Sequence, residues 1–185
     1  MSLSERFASQ RSGIQQPDAL SLERKPVNRP DLIRVSVVGA SQASDTEVEH
    51  AFEVGRYLAE AGAVVVCGGG DGVMKAACRG AQAVGGLTIG ILPGLERSQA
   101  NEYVRLALPT GMGQMRNALV VQAGQAVIAI GGGPGTLSEI ALAFRYNRPV
   151  IGLGSWQATD ARGRDLVLME ATSPEQAVRL ALERV

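Results

Sequence analysis

The chain has 185 residues, a length typical of a single domain, and its formal net charge is zero because 18 basic residues balance 18 acidic ones. This balance argues against a broad basic surface for nucleic acid or for an anionic membrane. Two cysteines provide no disulfide framework, and a domain of this size buries enough surface to fold without a metal or a required cofactor.

Neither a targeting segment nor a membrane segment is recognised, and we expect a cytoplasmic protein. Residues 1–30 are polar and interrupted by proline and charge, so they are interpreted as a flexible N-terminal arm, with the folded domain over residues 31–185. The longest uncharged run, Asn117 to Ser138, is long enough to span a bilayer. Five glycines and a proline within it argue against a membrane helix.

Strand and helix signals alternate from residue 31 onward. Arg34–Val38 is a β-branched run that ends at Gly39, and Ser44–Glu47 is an S-x-x-E capping box that starts the first helix. The further predicted strands are Ala63–Cys67, Leu87–Leu92, Tyr103–Leu108, Ala126–Ile130, Pro149–Leu153 and a short edge strand at Leu166–Met169. The further predicted helices are Val73–Val84, a helix from Gly113 to Gly124, Leu137–Tyr146 and a last helix capped by Ser173.

This alternation predicts the fold class. Continuous apolar strands, without polar residues at every second position, are typical of a parallel sheet covered by helices on both faces. We therefore predict a single α/β domain with a Rossmann-like, doubly wound, mainly parallel sheet. Ligands of such sheets bind at the carboxyl ends of the strands.

Glycine is unusually frequent, and 17 of the 23 glycines fall between Gly62 and Gly135. Three clusters follow predicted strands, where amides without a neighbouring β carbon can approach an anion at a helix N-terminus. Tight turns explain one such loop equally well, but three loops at one sheet edge favour a phosphate-bearing ligand. The loop residues predicted to contact it are Gly39, Ser41, Gly68, Gly69, Gly70, Gly72, Val73, Met74, Gly132, Gly133, Gly135 and Thr136.

Familiar cofactor motifs do not fit the sequence. There is no GxxxxGK[ST] motif, which excludes a P-loop NTPase. No GxGxxG follows the first strand and no acidic residue ends the second strand at Cys67, which argues against a dinucleotide dehydrogenase. The only lysines are Lys25 in the arm and Lys75 in a helix, so a pyridoxal phosphate enzyme has no convincing Schiff-base lysine.

Arg116 and Glu139 are the most informative charged residues, because Arg116 is the only ionisable group between Arg105 and Glu139. Arg116 lies early in a predicted helix, where the dipole disfavours a cation, so either an anion lies nearby or the side chain is on the surface. Glu139 completes a T-x-x-E capping box with Thr136, and we expect it to cap its own helix. An acid/base role in a phosphate-lined cleft is compatible with that position.

For most of the remaining candidate residues, a structural role is a better explanation than a catalytic or metal-binding one. His50, the only histidine, is expected on the exposed side of the first helix, which argues against a catalytic triad. Cys67 ends a buried strand and is interpreted as a core residue. One histidine and two separated cysteines form no ligand cluster, so no metal is predicted. Asp71 either meets a ligand hydroxyl or serves its turn.

A known superfamily carries similar motifs. Gly131-Gly-Gly-Pro-Gly-Thr-Leu-Ser-Glu139 resembles the PGGxGTxxE signature of the Lonely-guy superfamily, often labelled "lysine decarboxylase". The segments Cys67–Met74, Gly90–Gly94, Thr110–Gly113 and Arg116–Asn117 are most similar to the subgroup that includes the molybdenum cofactor carrier proteins, and the resemblance covers about Ile33 to Leu153. It implies a Rossmann-like fold that binds a phosphorylated heterocycle, either a nucleotide or the molybdenum cofactor, which is a pterin phosphate.

The resemblance also implies roles for single residues. Phosphoribohydrolases of the superfamily release a free base and ribose 5-phosphate from a nucleoside 5′-monophosphate, and they pair an arginine with the glutamate of the signature. Arg116 and Glu139 occupy these two positions, but Asn117 replaces the usual lysine and Gly131 the usual proline. Arg116, Asn117 and Glu139 are therefore expected to contact the ligand, and turnover is left open beside simple binding.

An oligomer is the last expectation from the resemblance. Members of the superfamily commonly form dimers or tetramers through helices beside the site, so we expect a homodimer or homotetramer. The apolar segment Ala118–Gly124 either forms that contact or packs on its own sheet.

Overall fold

A computed structural model describes residues 32–163, 165, 166 and 168–185. The predicted arm, residues 1–30, lies outside the described residues. Seven strands form one fully parallel sheet in the order β4-β3-β2-β1-β5-β6-β7. They are β1 (Arg34–Gly39), β2 (Val64–Cys67), β3 (Thr88–Leu92), β4 (Leu106–Pro109), β5 (Ala126–Ile130), β6 (Val150–Leu153) and β7 (Met169–Ala171).

Five α-helices connect or follow these strands within the described residues. They are α1 (Asp45–Glu60), α2 (Val73–Ala83), α3 (Asn117–Ala123), α4 (Pro134–Arg145) and α5 (Pro174–Leu182). The capping box of α1 is formed, since the Ser44 hydroxyl accepts from the Glu47 amide and the Glu47 carboxylate accepts from the Ser44 amide. Ser173 caps α5, with Pro174 in its first turn.

Helices cover both faces of the sheet, and each face has its own apolar core. One core packs α1, α2 and α5 on side chains such as Val35 and Ile128, whereas the other packs α3 and α4 on side chains such as Val38 and Val127. The predicted single α/β Rossmann-like domain is thus confirmed. No helix in the described ranges has both the length and the apolar character needed to cross a membrane.

The direction of strand addition reverses between β1 and β5. The chain adds β2, β3 and β4 on one side of β1, then returns to place β5 on the other side, followed by β6 and β7. Gly39 at the end of β1 lies in register with Ile130 at the end of β5. The loops after these two strands therefore diverge at the carboxyl edge and leave a crevice, which is where open α/β sheets bind ligands.

Some boundaries differ from the predictions, each for a local reason. Strand β4 begins at Leu106, later than predicted, because the Tyr103 carbonyl and the Arg105 amide bond to the Thr88 hydroxyl. Strand β7 covers Met169–Ala171 because its pairing with β6 begins at Met169. The segment from Gly113 begins as a 3-10 turn that becomes α-helical only at Asn117.

Candidate functional site

A cleft of about 700 Å³ occupies the crevice between the β1 and β5 loops. Its volume is in the range of small-molecule sites. Nine predicted ligand residues line it: Gly39, Ser41, Met74, Arg116, Asn117, Gly133, Gly135, Thr136 and Glu139. The cleft is also lined by five residues that were not predicted, Ala40, Gln42, Gln114, Pro134 and Ser138.

The N-terminus of α4 forms one wall of the cleft. Gly133 is the N-cap residue and Pro134 occupies the first turn, while no side chain of the described residues caps the helix and its first turn carries no acidic residue. The first amides of a helix have no partner within the helix and carry partial positive charge. This end of α4 is therefore suited to an anion.

The two glycines at this wall leave open space. A β carbon added to Gly133 or Gly135 would have no atom within 4 Å, and neither residue has a positive φ. The fold would accept alanine at both positions. The absence of side chains here instead keeps the helix amides accessible from the cleft.

A second pocket, of about 400 Å³, lies on the other side of Arg116. Its lining includes the predicted residues Gly68 and Gly70 together with Leu92, Pro93, Gly94, Gln99 and Arg116. A β carbon on Gly68 would lie 2.6 Å from Nη2 of Arg116, so this glycine is needed for the approach of the guanidinium.

Four predicted loop residues line neither pocket. The Gly132 amide donates to Oε1 of Glu47 at 3.3 Å, and the Gly69 amide donates to Sγ of Cys67 at 3.3 Å. Val73 is fully buried and its amide donates to the Ala40 carbonyl at 3.1 Å. Gly72 has a φ of 61° and lies against the backbone of residues 40 and 41. These four residues therefore stabilise the conformation of the loops without lining either pocket.

Arg116 is held at the junction between the 3-10 turn and α3, and only 7% of it is exposed. Its Nη1 donates to Oδ1 of Asn117, and its Nη2 donates to the Gly68 carbonyl at 3.2 Å. Its buried Nε atom has no partner among the described residues. Burial lowers the pKa of Arg116, and the nearby Glu139 carboxylate partly offsets this. The surface alternative for Arg116 is wrong.

Glu139 does not cap its helix, contrary to the expectation. The helix starts at Pro134, so Thr136 lies inside the first turn and is not the N-cap. The carboxylate is 7% exposed and lies 3.9 Å from Nη1 of Arg116. Loss of water raises the pKa of Glu139 to about 7, although Arg116 opposes the shift. A carboxyl group with such a pKa can hold or accept a proton near neutral pH.

The weaker candidates do not line the cleft. Asp71 is exposed and lines neither pocket, and His50 is half-buried rather than exposed. Cys67 is fully buried, as expected for a core residue, with its Sγ 3.5 Å from that of Cys78.

Ser138 and Gln114 were missed because they occupy positions within or between the motifs that the motifs themselves do not specify. Ser138 follows the glycine cluster and accepts from Nδ2 of Asn117 at 3.4 Å while donating to the Gly135 carbonyl. Only its helical spacing from Gly135 could have indicated it. Gln114 lies in the 3-10 turn and is exposed, and nothing in the sequence pattern distinguishes it from other surface glutamines.

Comparison with known proteins finds similarity over most of the described chain. The model of the SLOG cluster4 family matches residues 32–178. A protein from Archaeoglobus fulgidus is 38% identical over 122 residues, which are 66% of this chain and 80% of the relative.

Two solved structures resemble the fold closely. The molybdenum cofactor binding protein from Rippkaea orientalis has a TM-score of 0.72 and 35% identity, covering 84% of this chain and 98% of that one. The molybdenum cofactor carrier protein from Chlamydomonas reinhardtii has a TM-score of 0.70 and 26% identity, covering 83% of this chain and 98% of that one.

Proposed function

The chain belongs to the SLOG cluster4 family, and from this premise we propose that it binds a phosphorylated heterocycle, either the molybdenum cofactor or a nucleotide, as a carrier does. The observation that carries the proposal is the uncapped N-terminus of α4, which opens on the cleft between Gly133 and Gly135. The ligand phosphate accepts hydrogen bonds from the amides of Gly135 and Thr136.

The other residues of the cleft bind the rest of the ligand in this proposal. Arg116 provides positive charge at the floor of the cleft, and Asn117 holds the guanidinium in place. Gly39 and Ser41 from the β1 loop face the opposite side of the ligand. The Gly68 carbonyl accepts from Arg116, and Gly68 and Gly70 line the second pocket beside it.

Titration calorimetry with the molybdenum cofactor, nucleoside 5′-monophosphates and the matching dephosphorylated compounds tests the proposal. We expect binding of the phosphorylated compounds and a loss of affinity on removal of the phosphate. Gly135→Ala should weaken binding, whereas Ala141→Ser on the exposed side of α4 should not. Equal affinity with and without the phosphate, or no binding at all, would refute the proposal.

A second candidate function is hydrolysis of a nucleoside 5′-monophosphate to free base and ribose 5-phosphate. The pKa of about 7 at Glu139, next to Arg116, favours it because such a carboxyl group can act as an acid or a base. Asn117 argues against it, since its carbonyl oxygen accepts from Arg116, which the lysine of the hydrolases cannot do. Base release from a nucleotide panel, abolished by Glu139→Gln, is the expected result if turnover occurs.

The homodimer or homotetramer also stays a proposal. Val120 and Val121 of the apolar segment are buried on the chain's own sheet, but Leu119 is partly exposed and Met115, in the preceding turn, is 76% exposed. These two side chains of the segment and its preceding turn are available for a contact between copies. Light scattering of the purified protein tests this, and a monomer at all concentrations would remove the prediction.

A further inference from the structure

The Arg116–Glu139 pair is incomplete. The guanidinium and the carboxylate approach to only 3.9 Å, which is too long for a hydrogen bond. Both side chains are largely removed from water. A buried ion pair normally needs direct hydrogen bonds to offset the loss of hydration. The guanidinium and the carboxylate are therefore neighbours that do not hydrogen-bond to each other.

Both groups also keep unused hydrogen-bonding capacity. An arginine has five N–H donors, and the contacts with Asn117 and Gly68 use two of them. Nε has no partner within the described residues, and the Glu139 oxygen nearest to the guanidinium lies 3.9 Å from Nη1, beyond hydrogen-bond distance. Free donors thus lie beside free acceptors at the floor of one cleft.

We infer that Glu139 and Arg116 together bind one polar edge of the ligand's ring, with ring N–H donors facing Glu139 and a ring carbonyl oxygen facing Arg116. The inference rests on the proposed function and specifies the class of heterocycle. The matching edge has an amino group, a ring N–H and a carbonyl oxygen in a row, as in guanine and pterin rings. An adenine ring presents one amino group beside a ring nitrogen that accepts, so it offers Glu139 a single donor where the guanine and pterin edges offer two.

Asn117 acts as a positioning residue for this recognition. Its Oδ1 holds Nη1 of Arg116, and its Nδ2 donates to the Ser138 hydroxyl on α4, the helix that carries Glu139. The two halves of the pair are thereby fixed relative to each other. A sugar diol would also offer two donors to Glu139, and its hydroxyl oxygens can accept from Arg116, so a 2′-deoxynucleotide is needed to distinguish the sugar from the ring edge.

Guanosine and inosine monophosphates provide the test, because they differ only in the amino group of the ring. Calorimetry is done at pH 8, where Glu139, with its pKa of about 7, is ionised. We expect the wild-type protein to bind the guanosine compound about tenfold more tightly, since its amino group donates to a charged acceptor. In Glu139→Gln the two affinities should agree within about twofold, while Ala141→Ser keeps the preference.

Ribose 5-phosphate separates this inference from the proposed function. Its binding to both wild type and Glu139→Gln would show that the anion site is intact in the variant. With that site intact, equal affinities for the two nucleotides in the wild type, or a preference that survives in Glu139→Gln, overturn the inference alone. If 2′-deoxyguanosine monophosphate loses affinity only in the wild type, Glu139 contacts the sugar and the inference is wrong. Failure of every phosphorylated probe overturns both proposals.

Discussion

Glycine serves opposite purposes at two places in this molecule. Where α1 crosses α2, a β carbon on Gly55 would lie 1.9 Å from the Ala77 carbonyl oxygen, and one on Gly80 would lie 1.9 Å from the Phe52 carbonyl oxygen. At the N-terminus of α4, a β carbon on Gly133 or Gly135 would touch nothing. The first pair is required by the backbone of a neighbouring helix, whereas the second pair is not required by the fold at all.

This difference distinguishes the α1–α2 contact, which stabilises the fold, from the cleft, which is suited to binding. The α1–α2 contact is made by buried small residues such as Ala51, Ala77 and Ala81, and it gains stability from close approach. The floor of the cleft holds the buried Arg116 and Glu139, whose charges are poorly compensated. Binding sites commonly carry such a stability cost, and substitutions in the two regions should therefore change different measurements.

The largest effect is expected in the packing region. Gly55→Ala or Gly80→Ala places a methyl group against a backbone oxygen that cannot move without separating α1 from α2. We expect the free energy of unfolding to fall by about 3 kcal/mol or more, measured by denaturant titration. The ligand affinity of the protein that still folds should be unchanged. A loss below about 1 kcal/mol would show that α1 and α2 can move apart at little cost. The packing glycines would then not be required by the fold.

Glu139 should make the stability of the site region depend on pH. Its pKa is raised from 4.5 in a free chain to about 7 in the fold, so its favourable contribution is present below pH 4.5 and is lost as the pH rises through 7. The free energy of unfolding of the wild type, relative to Glu139→Gln, should fall by on the order of 3 kcal/mol over this range. Denaturant titrations of both proteins at several pH values measure this. Parallel pH profiles would contradict it.

Gly135→Ala should raise the stability of the protein and at the same time weaken its binding of a phosphate ligand. In the first turn of α4 the methyl group meets no atom, and alanine raises the free energy of unfolding by up to about 1 kcal/mol relative to glycine. The same methyl group occupies the entrance to the helix amides, so affinity for a phosphate ligand should fall about tenfold. Calorimetry and denaturant titration of the one variant test both parts. Unchanged affinity would place the anion elsewhere in the cleft.

The smallest effect is expected at the start of α1. Ser44→Ala removes the side chain that accepts from the Glu47 amide and should lower the free energy of unfolding by about 1 kcal/mol. Affinity should change little, because Ser44 lines neither pocket. A large loss of affinity would instead show that the bond from the Gly132 amide to Glu47 depends on the cap and controls the α4 loop.

Periodicity and turn signals were sufficient to predict the fold, because continuous apolar strands and a capping box depend on local chemistry. The glycines of the cleft were predicted because they lie at or after strand ends, as Gly39 and Gly133 do, and Arg116, Asn117 and Glu139 were predicted from the resemblance to a known family. The pocket of Gly68 and Gly70 could not be separated from the main cleft, because the division depends on how Arg116 packs. The error at Glu139 has a similar origin, since Gly133 and Pro134 start the helix before the apparent cap at Thr136.

The reversal of strand order between β1 and β5 affects how the chain folds during its synthesis. As the chain leaves the ribosome, β1 to β4 emerge first, but one edge of β1 stays unpaired until β5 is made, because these two strands pair directly. An open strand edge in the middle of a future sheet is prone to join other chains. Residues of the loops after β1 and β5 line the cleft, so the cleft cannot form before this edge has closed.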